Sequence, residues 1–180
     1  MKVVAIVGSL RKDSYNRKIA EFIKDNFKEK LEVEVVRLND LPMFNEDIEK
    51  DPPQAVKDLN GKIKSADGVL FVTPEYNHSI PGVLKNAIDW CSRGERPLSN
   101  KPTFIVGASD GNVGTARCQG DLRKVLNGPG VATLNLPGNL VVIGNVDQKF
   151  NESGEFTDER TIKRLGSVID NFIEWVEKVK

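Results

Sequence analysis

The chain has 180 residues, 39% of them apolar and 29% charged, enough for one domain with a substantial core. Its 26 Lys and Arg balance 26 Asp and Glu. This neutrality argues against a nucleic-acid binder, which needs a basic excess to meet phosphates, and against a carrier that docks through a strongly charged face. The first predicted element is Val3 to Val7, a continuous apolar run that stops at Gly8-Ser9. Such a run reads as a strand buried on both faces. Arg11, Lys12 and Asp13 follow too soon for the start to be a signal peptide.

A helix is predicted next, with Ile19, Ala20, Phe22, Ile23 and Phe27 on one side. Leu31 to Leu38 alternates in part and reads as a strand nearer an edge. A longer connection, Leu41 to Pro53, leads to a helix carrying Val56, Leu59 and Ile63. Gly68 to Thr73 is the third strand, Pro81 to Cys91 a helix, Thr103 to Ala108 the fourth strand and Ala116 to Leu126 a helix ended by Asn127-Gly128-Pro129-Gly130. Leu140 to Ile143 is the fifth strand. A long final helix presents Ile162, Leu165, Val168, Ile169, Phe172, Ile173 and Val176 inward, with Asp158 and Glu159 suited to its N-terminus.

Strands alternating with helices along the whole chain imply an α/β fold with a parallel sheet covered on both faces. Five such units match a flavodoxin-like three-layer sandwich, a five-stranded parallel sheet in order 2-1-3-4-5. No repeat, low-complexity tract or linker divides the chain, so residues 1–180 are expected to form one domain. No segment approaches a membrane span. Cys91 and Cys118 are far apart and make no C-x-x-C, so no metal site or dithiol motif is expected and both read as packing residues. The chain is expected to be cytoplasmic.

Ligands of this architecture bind beyond the carboxyl ends of the strands, where three loops are unusual. The first, GSLRKDSYN, has neither a Walker nor a dinucleotide spacing. It offers the hydroxyls of Ser9 and Ser14, the guanidinium of Arg11, and Asn16 at a helix start. On pattern alone, phosphate binding and a plain N-cap by Ser14 or Asn16 stay equally open. The second, PEYNHSIPG, holds the only histidine, His78. Tyr76 and Asn77 suit contact with a flat aromatic ligand, and Glu75 reads as a residue that sets the loop in preference to a general base. The third, GASDGNVGTAR, formally matches the nucleophile elbow G-x-S-x-G. A hydrolase is excluded because no histidine follows Ser109. The third loop reads instead as a glycine-rich segment that lets backbone approach a ligand.

With these loops in family order and spacing, the chain resembles the NADPH-dependent FMN reductases, above all bacterial quinone and chromate reductases and azoreductase-like members. The segments GSLRKDSYN, TPEYNHSIPGVLKNAIDW and GASDGNVGTARCQGDLR carry the resemblance, the middle one most specifically. It implies a noncovalent FMN with its phosphate on Ser9, Arg11, Ser14 and Asn16 and Tyr15 adjacent. It implies an isoalloxazine edge along Pro74, Glu75, Tyr76 and Asn77, with Ser109 and Gly111 closing the other side. NADPH or NADH would be the donor, and ping-pong hydride transfer would reduce a small-molecule acceptor: a quinone, chromate, an azo compound or free flavin. No catalytic side chain is implied, because the flavin does the chemistry. A homodimer or homotetramer is implied, with the helix from Pro81 to Trp90 as a contact face. The alternative is a flavodoxin-like FMN electron carrier without NAD(P)H turnover.

Overall fold

The computed structural model describes residues 1–180. Its strands are β1 (Lys2–Val7), β2 (Glu32–Val36), β3 (Gly68–Val72), β4 (Pro102–Ala108), β5 (Leu134–Asn135) and β6 (Val141–Ile143). Its helices are α1 (Tyr15–Asn26), α2 (Gln54–Ser65), α3 (Gly82–Cys91), α4 (Ala116–Leu126) and α5 (Glu159–Val179). All strand pairs are parallel, in the order β2-β1-β3-β4-β5, with β6 also beside β4. This is the flavodoxin-like order expected from the sequence. No helix is long and apolar enough to cross a membrane.

The alternation of side chains along a strand distributes one apolar run between two cores. Val3, Ala5 and Val7 of β1 face the side covered by α1 and α5, where they meet Ile19, Ile23, Leu165 and Phe172. Val4 and Ile6 face the opposite side with Leu59, Ile63, Leu84 and Leu122 from α2, α3 and α4. Phe104 of β4 stacks obliquely on Phe172 at 4.5 Å between ring centroids. Trp90 is buried and its indole N–H donates to the Pro42 carbonyl, which also accepts from Asn86. Those bonds fasten the long connection before α2 onto α3.

One element differs from the sequence expectation. The fifth strand is two short pieces, and only the second was foreseen. β5 pairs with Pro102–Thr103 and β6 with Val106–Ala108, the two ends of β4. Between them Pro137 has no amide to give a ladder, and Gly138 sits at φ +69°. A two-residue strand has too few positions to show alternation.

Candidate cofactor site

β1, β3 and β4 end side by side, and the three loops leave from those ends. At β4, a Cβ on Gly107 would lie 2.0 Å from the Thr115 hydroxyl and 2.8 Å from the Thr73 carbonyl. Only glycine lets the roots of the second and third loops come this close.

The first loop ends on Ser14, whose hydroxyl accepts the Arg17 amide at 3.4 Å and caps α1. Arg11's amide bonds to Ser9 Oγ at 3.3 Å. The amides of Ser9, Leu10, Lys12, Asp13, Tyr15 and Asn16 donate to no protein acceptor. Those of the first turn of α1 also carry the positive end of the helix dipole. Ser9 and Ser14 are buried beside them, and Arg11 is exposed at the rim. Tyr15 packs on Phe150, with ring centroids 5.7 Å apart and Lys18 over both rings.

Asn16 has a structural task that its sequence position did not reveal. Its buried amide donates to the Ala108 carbonyl at 2.8 Å and accepts the Ala108 amide at 2.9 Å. Both backbone groups of the last residue of β4 are thus bound by the second residue of α1. Ser14 is the N-cap and Asn16 a clamp between the first and third loops.

The second loop closes as a tight hairpin. Tyr76 and Ser79 exchange backbone hydrogen bonds of 3.0 Å in both directions. Asn77 and His78 between them have φ of +48° and +65°, the two left-handed residues of a two-residue turn. His78 therefore stands at a tip, 75% exposed, with Nδ1 3.6 Å from Glu75. The Tyr76 hydroxyl lies 3.5 Å from Ser9 Oγ and joins the first two loops.

The third loop is held by β6 and the turn after it. Ser109 receives the Val146 amide on its carbonyl and the Gly111 amide on Oγ, at 3.0 and 3.1 Å. The Gly111 carbonyl accepts from Gly114 and Asn145.

One cavity collects Ser9, Arg11, Ser14, Tyr15, Asn16, Pro74, Glu75, Tyr76 and Ser109. Two other candidates lie off its wall: Asn77 is in the turn, and Gly111 spends its amide on Ser109. Ala108 and Asp110 line the cavity as well and were not singled out from the sequence. Asp110 neighbours Ser109 in a motif read for its glycines, and Ala108 is the last strand residue, so neither carried a separate signal. Both cysteines are free and buried, and burial pushes each thiol up to about 12.

Residues 1–148 match the sequence profile of the NADPH-dependent FMN reductases. A quinone reductase from Pseudomonas putida is 40% identical over 178 residues, 97% of this chain and 94% of its own. The NADH:(hydroxy)cinnamate reductase subunit CrdA from Vibrio ruber is 37% identical over 179 residues, 99% of this chain and 89% of its own. Among solved structures, FerB from Paracoccus denitrificans, a flavoenzyme NAD(P)H:(acceptor) oxidoreductase, superposes with a TM-score of 0.88 at 37% identity, covering 98% of this chain and 97% of FerB. The profile match and these relatives, over loops that already converge on one cavity, place the chain in the NADPH-dependent FMN reductase family.

Proposed function

We propose that the chain binds FMN in this cavity and uses NADPH or NADH to reduce a small-molecule acceptor, with quinones as the first class to test. The observation that carries this reading is the row of amides from Ser9 to Asn16, most of them uncommitted, next to two buried hydroxyls and an exposed guanidinium. That donor set suits a phosphate monoester, which has three acceptor oxygens and negative charge but nothing to donate when ionised. FMN ends in such a group. Bound FMN would supply the redox chemistry, taking a hydride from the nicotinamide and giving two electrons to the acceptor.

In this reading Ser9, Ser14 and Arg11 hold the phosphate. Asn16 contributes its backbone amide, since its side chain is engaged with Ala108. Tyr15 shields the site's flank through its packing on Phe150. Pro74, Glu75 and Tyr76 offer the ring a ledge, with Asn77 and Gly111 acting through the shape of their loops. Ser109 and Asp110 form the opposite wall. No side chain is assigned as an acid or base. His78 projects away at the hairpin tip.

Residues 1–180 acting as one domain fits the single sheet that they share. A homodimer or homotetramer fits the exposure of Met43 and Tyr76, and a cytoplasmic place fits two free thiols.

The test is the purified protein. It should be yellow, release FMN on denaturation, and consume NADPH or NADH with a quinone. Arg11→Ala should weaken FMN binding far more than it alters the visible spectrum of the bound flavin. A colourless protein that FMN cannot reconstitute would overturn the reading. FMN binding without nicotinamide turnover would leave an electron carrier.

A further inference from the structure

The second loop is tied three times to one helix. The Glu75 side chain is 10% exposed, and Oε2 accepts the Cys118 amide at 2.9 Å. Cys118 is the third residue of α4, so this bond caps the helix from a residue 43 positions away. α4 has no cap of its own, because Thr115 at its boundary makes no side-chain bond to the first turn. Its hydroxyl accepts from Gln119 instead. The Cys118 thiol donates to the Pro74 carbonyl at 3.3 Å, and the Ser79 hydroxyl donates to Asp121 at 2.9 Å. Between these ties lie Asn77 and His78, both left-handed. Non-glycine residues hold that conformation only where the surroundings over-determine it.

We propose that Glu75 is a positioning residue: with the Ser79–Asp121 tie, it clamps the hairpin Pro74–Ser79 to α4 and so sets the ledge on which the cofactor's ring rests. This builds on the FMN reading above. On α4 the carboxylate meets the Cys118 amide and, at 3.6 Å, Arg117; His78, also at 3.6 Å, belongs to the hairpin itself. Charge contributes less than placement, because a neutral oxygen at the same point can accept the same amide.

Two substitutions separate the roles. Glu75→Gln keeps an acceptor for the Cys118 amide, and Glu75→Ala removes it. FMN affinity is read by quenching of flavin fluorescence, and hydrogen exchange at the Cys118 amide is read in FMN-free protein. The Ala variant should bind FMN about tenfold more weakly and exchange faster at Cys118. The Gln variant should stay within about threefold of the parent. An Ala variant that binds like the parent with a protected Cys118 amide overturns the proposal. A Gln variant as weak as the Ala variant does so too, since charge would then decide. If the Ala variant does not fold, Ser79→Ala reads the second tie, with about threefold weaker FMN binding expected; unchanged binding there overturns the proposal. A parent that takes up no FMN refutes the functional reading instead, and Cys118 exchange still tests the clamp.

Discussion

Asn16→Leu is the most informative single change at this site. Leucine has a similar size but no hydrogen-bonding group, so it removes both bonds to Ala108 with little change in packing volume. A net hydrogen bond contributes about 0.5–1.5 kcal/mol, but each buried group left without a partner costs about 1–3 kcal/mol. Asn16 is 3% exposed, and two backbone groups of Ala108 lose their partner. The expected loss is therefore about 2–6 kcal/mol, with about 4 as the central figure. For a chain of this length each kcal/mol moves the midpoint by about 2–4 °C, so Tm should fall by roughly 8–16 °C. Urea denaturation of the FMN-free protein gives the free energy directly, without the ligand's own contribution to stability. Ser14→Ala is the control: it removes a single helix cap in the same loop and should cost about 1 kcal/mol. A loss of less than about 1 kcal/mol in Asn16→Leu, or one no larger than in the control, would refute the clamp.

Three other changes probe the frame around the site. Asp158 caps α5, and its carboxyl is held below the ordinary value of 3.8, chiefly by the Thr161 hydroxyl and with help from Lys149. A lowered folded value gives stability that is full above the unfolded value and is lost as pH falls through the folded one. Asp158→Ala should thus cost about 1 kcal/mol near neutrality, and the gap from the parent in urea melts should shrink as the pH falls below the unfolded carboxyl's value of about 4; a gap that widens in acid contradicts the assignment. Gly107→Ala drives a methyl into Thr115 and the Thr73 carbonyl and should cost about 3 kcal/mol or more by the same measurement. A neutral effect would mean that the loop roots can part. Both thiols, pushed up to about 12 in burial, should resist Ellman's reagent in the native protein and react together once it is unfolded; rapid native reaction at either would contradict its burial.

The sheet order and most helix limits were legible because they rest on composition that a fold must obey. Val3 to Val7 can only be buried on both faces, and the helical repeat of Leu165, Val168, Ile169, Phe172 and Val176 can only face a core. The site was legible as three loops, because polar and glycine-rich segments directly after buried strands need a reason to be there. What each side chain does there was less so. Asn16 and Glu75 were both read for a ligand or a loop, but their partners, Ala108 and Cys118, lie 92 and 43 residues away. A short motif carries no trace of such a distant backbone partner. The same holds for β5, whose pairing is set by the neighbouring β4 and by the break at Pro137.

That broken fifth row has a consequence for how the molecule behaves among its own copies. The last strand of an open sheet exposes a line of unpaired amides and carbonyls on which another chain can grow. Here the line is cut into pieces of two and three residues, too short to template an added strand. At the opposite border β2 is longer but carries Glu32 and Glu34, the latter bound to Lys62 at 2.7 Å. Charge guards one border and discontinuity the other. Joining β5 to β6 into one uninterrupted strand would lengthen the sheet and, by the same stroke, open it to aggregation.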